Sequence, residues 1–234
     1  MRLLLISNST AHGSGYLDHC ADAIAAFLAT PVASVLFVPY ALSDHDGYAA
    51  RARDRFGRMG LRLDSVHDAP GDLRQAVNRA EALFIGGGNT FRLLDALWRH
   101  GLIESVSARV REGMPYVGAS AGSNVACPSI KTTNDMPIIE PPSFRALGLV
   151  PFNINPHYQD PIPGSTHMGE SREQRIAEFH EANDVPVVGL RENAWLLVEG
   201  PSIAVHGAAA ARVFVKGKPP AEYPAGSRLD FLLP

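Results

Sequence analysis

The sequence has little cysteine: Cys20 and Cys127 are the only two cysteines among 234 residues. Two cysteines cannot build the framework of several disulfides that supports small secreted proteins, so a cytoplasmic location is expected. Long hydrophobic runs are also missing, since no stretch approaches the roughly 20 apolar residues that a membrane-spanning helix needs. The apolar run at 3–6 is short, which fits a buried first strand better than a signal peptide.

The chain also lacks an excess of charge of one sign. It has 21 Lys and Arg against 24 Asp and Glu, a net charge of −3. This balance gives no general attraction to nucleic acid or to an anionic membrane, so neither is an expected partner. With 46% hydrophobic and 19% charged residues, the composition is that of a globular protein. No linker divides the sequence, so a single domain over residues 1–234 is expected, and a homodimer is left open.

Short apolar segments alternate with helical patterns through the first two thirds of the chain. Segments 3–6, 35–38, 82–85 and 116–117 predict buried strands. This alternation is typical of βαβ units and predicts an α/β fold with a mostly parallel central sheet flanked by helices. The last third differs, because short strands near 194–198, 203–205 and 213–215 are separated only by turns. These three strands predict an antiparallel meander attached to the edge of the sheet.

The sharpest local motif is Gly118-Ala119-Ser120-Ala121-Gly122, which follows the strand at 116–117. A serine in such a strand-to-helix turn is lifted above the carboxyl edge of the sheet, where open α/β sheets bind ligands. The N–H groups of the following helix can then stabilise an oxyanion. The motif also occurs as a simple packing turn, but its context favours Ser120 as a nucleophile.

A second glycine-rich turn, Gly86-Gly87-Gly88-Asn89-Thr90, follows the strand at 82–85. The Gly88 N–H of this turn could form one part of an oxyanion hole facing Ser120. The Ala121 N–H, directly after Ser120, would be the second donor. The turn matches neither the dinucleotide-binding glycine pattern nor a P-loop, so no nucleotide cofactor is expected. Asn89 is a candidate helix cap and a candidate substrate-binding residue.

Nine histidines are candidates for the general base that a serine nucleophile needs. His157 is favoured because it follows a short apolar strand and Pro156. The five histidines that precede Ser120 are expected at the surface: His12, His19, His45, His67 and His100. His167 lies near Glu170, but a metal site there would need a further ligand that the sequence does not identify, so no metal is predicted.

An acidic residue must orient the imidazole and stabilise its charged form. Glu192 follows the apolar segment 187–190 and is one candidate. Asp135 and Asp160 are the others. Spacing along the sequence does not separate Glu192 from Asp135.

Taken together, the ordered motifs resemble the peptidase E (aspartyl dipeptidase) family of serine peptidases over nearly the whole chain. The resemblance rests on sequence blocks at 3–10, 86–91, 120–122, 127–138, 154–157 and 169–175. It implies a fold similar to class I glutamine amidotransferases, with serine in place of their cysteine. It also implies a triad of Ser120, His157 and Glu192, with Asp135 as the alternative acid.

The resemblance further implies that the substrate is a small peptide, a dipeptide with N-terminal aspartate, cleaved without metal or cofactor. Arginine recognises a carboxylate well through paired hydrogen bonds. Arg172, at the start of a predicted helix, is therefore the candidate for binding the aspartate side chain. Without the resemblance, Arg172 and Arg175 would be interpreted as part of a solvated helix face.

Three other functions remain as alternatives. An α/β-hydrolase-type esterase would use the same Ser120 turn, with Asp184 and His206 completing its triad. A cyanophycinase-like peptidase would cleave a polymer of β-linked aspartate. A protein of this fold that only binds a small ligand would not react at Ser120.

Overall fold

The computed structural model describes residues 1–29, 32–161, 164, 166 and 168–233. His167, considered above as a metal ligand, lies outside these residues. The described residues form eleven strands and seven α-helices, which alternate through the first half of the chain. The elements of that half are β1 (Arg2–Ile6), α1 (Ala21–Leu28), β2 (Ser34–Val38), α2 (His45–Arg58), β3 (Arg62–Ser65), α3 (Leu73–Arg79), β4 (Ala82–Ile85), α4 (Thr90–Arg99), α5 (Leu102–Arg111), β5 (Tyr116–Ala119) and α6 (Ala121–Val125).

The described part of the second half contains one α-helix and six strands. They are β6 (Asn153–Pro156), α7 (Arg172–Ala182), β7 (Val187–Leu190), β8 (Ala194–Glu199), β9 (Ser202–Gly207), β10 (Ala211–Phe214) and β11 (Ala221–Tyr223). None of the helices in the described part of the chain is long and apolar enough to cross a bilayer.

The central sheet has seven strands in the order β3-β2-β4-β5-β1-β8-β9. The five strands from β3 to β1 run parallel, and β8 and β9 extend the sheet in antiparallel pairing beyond β1. This arrangement confirms the predicted α/β fold with a mostly parallel sheet. It places β4, β5 and β1 side by side, so the segments that follow these strands meet at one edge of the sheet.

The alternation of side chains along the strands builds two hydrophobic cores, one on each face of the sheet. Leu4 and Ile6 of β1 face a core formed with α1 and α2, whereas Leu3 and Leu5 face the helices α3 to α6. The second core also contains Ile154 of β6 and strands β7 to β10. The later part of the chain is therefore packed against the same core as the central sheet.

The C-terminal strands divide between two sheets, which differs from the predicted continuous meander. The hairpin β8–β9 joins the edge of the central sheet, as expected, but β10 pairs with β7 and β11 in a separate four-stranded sheet of order β11-β10-β7-β6. In that sheet β6 and β7 are parallel neighbours. The polar segments that follow β6 and β7 consequently lie together.

Candidate functional site

Ser120 lies between β5 and α6 in a strained backbone conformation, with φ 53° and ψ −108°. Conformations of this kind cost a non-glycine residue on the order of 1–3 kcal/mol and occur mainly at functional sites. The Ser120 N–H donates to the Ile6 carbonyl at 2.9 Å, which ties the turn to β1. Only glycine fits at position 122, because a Cβ there would lie 2.1 Å from the Ile85 carbonyl oxygen. The start of α6 therefore packs directly against the end of β4.

His157 follows β6 and also has a positive φ, of 51°. Its Nε2 lies 3.1 Å from the Ser120 hydroxyl oxygen, and its Nδ1 lies 2.7 Å from a carboxylate oxygen of Glu192. With the proton on Nδ1 donated to Glu192, Nε2 is free to accept the serine proton. The arrangement has the geometry of a serine nucleophile, a base and an orienting acid.

The other two candidate acids bind elsewhere. A carboxylate oxygen of Asp135 accepts from the Thr90 N–H at 2.8 Å, which caps the start of α4. Asp160 forms a paired hydrogen bond with the guanidinium of Arg191, at 2.8 Å for both contacts. The structure thus brings Glu192, and neither aspartate, next to the imidazole.

The glycine turn after β4 comes close to the nucleophile. A Cβ at Gly87 would lie 3.1 Å from the Cβ of Ser120. Gly88 has φ +133°, and a Cβ there would lie 2.5 Å from the Ala41 carbonyl oxygen, so a side chain is excluded at this position. Among the described residues, neither the Gly88 N–H nor the Ala121 N–H donates to a protein acceptor. Neither N–H therefore has a hydrogen-bond partner within the described protein.

Asn89 acts as the N-cap of α4. Its side-chain oxygen accepts from the Arg92 N–H at 3.0 Å, and its side-chain nitrogen donates to the Met136 carbonyl at 2.9 Å. Both ends of the carboxamide thus bind protein atoms. Of the two roles predicted for Asn89, the geometry favours the cap over substrate binding.

Ser7 and Asn8 directly follow β1 and support the site. No motif in the sequence indicates this role. The buried Ser7 hydroxyl accepts from the His157 N–H at 2.9 Å and donates to the Leu190 carbonyl at 2.7 Å. The Asn8 side chain accepts from the Asn193 N–H at 2.8 Å. Their position is the signal that could have identified them. Both are polar and directly follow a buried strand, β1, which neighbours the nucleophile strand β5.

Arg172 lies at the start of α7, beside a cleft of about 680 Å³ that Asn134 and Gln159 also line. A capping box between Ser171 and Gln174 holds this end of the helix in place. Partial burial, followed by the charge of Arg175, lowers the pKa of Arg172. The cleft offers a partly buried cation to an anionic ligand, and one of its lining residues, Gln159, comes two residues after His157 in the chain.

Of the early histidines expected at the surface, His12 and His100 are exposed, and His19, His45 and His67 are partly buried. Both ring nitrogens of His19 are buried without a hydrogen-bond partner in the described part of the chain, and this burial lowers the pKa of His19.

His67 contacts two acidic residues, Asp46 and Asp68, outside the candidate site. Its Nε2 lies 3.0 Å from a carboxylate oxygen of Asp46 and 3.2 Å from one of Asp68. Asp46 is almost fully exposed, with 94% of its side-chain surface accessible. The three side chains lie close enough to hold a cation, but exposed acidic groups often lie together in this way without one.

The triad proposed for an esterase is not assembled among the described residues. Asp184 pairs with Lys216 at 2.8 Å. His206 lies on β9, at the edge of the central sheet and two strands away from β1, where it is paired with Trp195. Neither residue contacts Ser120, so this geometry does not favour the esterase alternative.

Known proteins resemble this chain over almost its whole length. Residues 3–206 match the model of peptidase family S51. Peptidase E from Streptomyces coelicolor is 56% identical over 233 residues, covering 100% of this chain and 95% of that protein. A relative from Drosophila melanogaster, named a probable alpha-aspartyl dipeptidase, is 47% identical, covering 99% of this chain and 97% of the relative.

Solved structures show the same fold at low sequence identity. A peptidase from an acI-B1 actinobacterium superposes with a TM-score of 0.73 at 17% identity, covering 97% of this chain and 96% of its own. A structure from Listeria monocytogenes EGD-e described as peptidase E has a TM-score of 0.67 at 20% identity, covering 89% of this chain and 98% of its own. The implied likeness to class I glutamine amidotransferases stays a prediction.

Proposed function

The chain belongs to peptidase family S51, and from that premise we propose that it hydrolyses dipeptides with N-terminal aspartate through an acyl-enzyme on Ser120. The observation that carries the proposal is the continuous contact from the Ser120 hydroxyl through His157 to Glu192, at 3.1 and 2.7 Å. The names of the Streptomyces and Drosophila relatives support the same activity.

In the proposed reaction, Ser120 attacks the carbonyl carbon of the aspartyl residue while His157 Nε2 takes the hydroxyl proton. Glu192 accepts from Nδ1 and stabilises the imidazolium that forms. His157 then gives its proton to the departing amine, and the peptide C–N bond breaks to leave an aspartyl ester on Ser120. A water molecule, deprotonated by His157, hydrolyses that ester and restores the free serine.

We assign the oxyanion hole to the backbone N–H groups of Gly88 and Ala121. Support comes from the close packing of the two glycine turns and from the absence of protein acceptors for both groups in the described part of the chain. One such donor is worth about 3 kcal/mol of transition-state stabilisation in enzymes where it has been removed.

We assign recognition of the substrate's aspartate side chain to Arg172. Arg172 is partly buried beside the cleft that Gln159 also lines, and it lies at the N-terminus of α7, where the helix dipole also favours an anion. A carboxylate that binds there can form charge-assisted hydrogen bonds that an asparagine or leucine side chain cannot reproduce. Arg172 therefore accounts for a preference for aspartate in the first position.

A cytoplasmic location is also part of the proposal. Cys20 and Cys127 are both free and buried, and burial raises the pKa of each thiol to about 12. Thiols with so little thiolate character are unreactive structural residues, which suits a reducing compartment.

The test is hydrolysis of a dipeptide panel by the wild-type protein, Ser120→Ala and the control Ser43→Ala, which changes an exposed loop serine. The panel holds Asp-Leu, Asn-Leu, Glu-Leu and Leu-Leu, with p-nitrophenyl acetate and β-linked aspartate polymer as alternative substrates. We expect wild type and Ser43→Ala to cleave Asp-Leu in preference to the others, and Ser120→Ala to show no turnover. Ser120→Ala activity above about a hundredth of wild type, or a preference for the ester or the polymer, would contradict the proposal.

A further inference from the structure

A buried tyrosine lies behind the glycine turn that faces Ser120. Tyr48 extends from α2, is only 3% exposed, and donates its hydroxyl hydrogen to the Gly87 carbonyl at 3.0 Å. Gly86 makes room for it, since a Cβ at that position would lie 2.1 Å from the Tyr48 hydroxyl oxygen. The tyrosine thus reaches the turn from the core formed with α1 and α2.

Gly87 lies between this hydroxyl and the nucleophile. While its carbonyl binds Tyr48, a Cβ on Gly87 would lie 3.1 Å from the Cβ of Ser120 and 2.6 Å from the Ser9 hydroxyl oxygen. The peptide that joins Gly87 to Gly88 is therefore a direct link between the buried tyrosine and the proposed oxyanion hole.

The peptide group is planar and trans, so its C=O and N–H bonds point in opposite directions. Fixing the Gly87 carbonyl toward the core consequently fixes the Gly88 N–H away from the core. A peptide between two glycines has unusual freedom to rotate, because no side chain restricts its flanking dihedral angles. An oxyanion donor must nevertheless be oriented before the reaction begins, since reorientation during the reaction would cost part of its benefit.

We propose that Tyr48 is a positioning residue. Its hydroxyl orients the Gly87–Gly88 peptide, so that the Gly88 N–H points at the oxyanion. The inference rests on the proposed serine peptidase function. Tyr48 does not touch the substrate, and it acts only through the backbone of the turn.

Packing holds the Tyr48 ring in one position, since it lies edge-on to Phe37 with centroids 4.9 Å apart. The hydroxyl also accepts from the Tyr16 hydroxyl, at the longer distance of 3.3 Å, but its own hydrogen is directed at Gly87. The guanidinium of Arg51 lies 5.0 Å from the centroids of both tyrosine rings. Burial raises the pKa of Tyr48, so the hydroxyl remains protonated and able to donate at neutral pH.

The test compares Tyr48→Phe with wild type and with Tyr16→Phe. Tyr48→Phe keeps the ring and removes the donor to Gly87, whereas Tyr16→Phe removes a neighbouring, partly buried hydroxyl and leaves that donor in place. We expect kcat to fall about 10- to 100-fold in Tyr48→Phe with KM within about twofold of wild type, and to change less than about threefold in Tyr16→Phe. Equal kcat in Tyr48→Phe and wild type would overturn the proposal.

A second readout separates orientation of the oxyanion donor from general structural damage. An aspartyl boronic acid forms a tetrahedral adduct on serine that resembles the transition state, so its inhibition constant should rise by the same factor as kcat/KM falls. If Tyr48→Phe weakens the boronate and a non-reactive aspartate amide equally, Tyr48 has only a structural role.

If Tyr48→Phe does not fold, enzymes with 4-aminophenylalanine or 4-fluorophenylalanine at position 48 provide the same comparison. The amino group can donate to Gly87 and should restore kcat, whereas the fluorine cannot donate and should not. Equal activity of the two would overturn the proposal. Wild-type turnover of Asp-Leu tests the proposed function separately, because the variants can be compared on any dipeptide or ester that acylates Ser120.

Discussion

The Nδ1 atom of His157 lies 2.7 Å from a carboxylate oxygen of Glu192, and the two residues follow neighbouring parallel strands, β6 and β7. The contact is partly open to solvent, since the side chains are 37% and 44% exposed. Because β6 and β7 pair, the base and the acid that follow these strands lie together. The contact of His157 with Ser120 in turn joins the second sheet to the central one.

The first prediction concerns the identity of the acid. Glu192→Gln keeps the shape of the side chain but removes the charge that stabilises the imidazolium, so kcat should fall by about 100-fold or more. Asp135→Asn removes a charged cap from α4 and should mainly lower the melting temperature, with kcat within about tenfold of wild type. Steady-state kinetics and thermal unfolding of both variants check this assignment. A larger loss of kcat in Asp135→Asn than in Glu192→Gln would transfer the role to Asp135.

The second prediction concerns Ser7, which binds both the His157 N–H and the Leu190 carbonyl. Ser7→Ala leaves two backbone groups without their partner in the core, which should cost about 1–3 kcal/mol. The melting temperature should fall by several degrees, and kcat should fall with it because His157 loses its anchor.

Ser14→Ala is the matched control for Ser7, because Ser14 also donates to a backbone carbonyl, that of Ala11, but does so in a turn nearer the surface. Differential scanning calorimetry and Asp-Leu hydrolysis should show little change for this variant. Similar small effects of Ser7→Ala and Ser14→Ala would remove Ser7 from the machinery that positions the base.

The third prediction concerns substrate recognition by Arg172. Arg172→Met removes the charge that binds the aspartate carboxylate, so kcat/KM for Asp-Leu should fall about 10- to 100-fold. Activity toward Leu-Leu should stay at its wild-type level. Arg175→Met is the control, because Arg175 is more exposed and lies 3.6 Å from Glu170. An equal loss in both variants, or an equal loss for Asp-Leu and Leu-Leu, would refute a specific role for Arg172.

The positions of Ser120 and His157 could be predicted because each directly follows a buried strand. The end of such a strand is visible in the sequence as a short apolar segment followed by turn or polar residues. The choice between Glu192 and Asp135 could not be made in the same way. Both follow apolar or turn segments, and only the parallel pairing of β6 with β7 selects Glu192 as the neighbour of His157. Pairing between distant strands depends on packing of the whole chain, which short-range patterns do not report.

The C-terminal region illustrates the same limit. The apolar pattern of β10 correctly predicts a strand, but it is equally compatible with pairing to β9 or to β7. The structure pairs Val213 of β10 with Val188 of β7, and both side chains contribute to the core shared with the central sheet. Burial of β10 in that core, rather than its position after β9 in sequence, decides which sheet it joins.

The last prediction concerns the ion pair of Arg191 with Asp160, which connects the segments that carry Glu192 and His157. Arg191 immediately precedes Glu192, and Asp160 comes three residues after His157. The guanidinium also binds Glu222 of β11 at 2.9 and 3.0 Å. Its hydrogen bonds are the main cause that lowers the pKa of Asp160. The folded protein therefore holds this carboxylate in its charged form more strongly than the unfolded chain does.

Because the pKa of Asp160 is lowered on folding, its contribution to stability is present above the usual aspartate pKa of about 3.9 and is lost as the pH falls through the lowered value. Asp160→Asn should thus reduce the melting temperature at pH 7, and the difference from wild type should shrink as the pH is brought below about 4. Asp54→Asn, which breaks the exposed pair with Arg58, should change neither quantity measurably. The Arg191–Asp160 pair also holds the segments that carry His157 and Glu192 together. Asp160→Asn should therefore lower kcat at pH 7 without raising KM for Asp-Leu. A melting-temperature difference that is independent of pH, or a kcat equal to that of Asp54→Asn, would show that the Arg191 pair does not support the site.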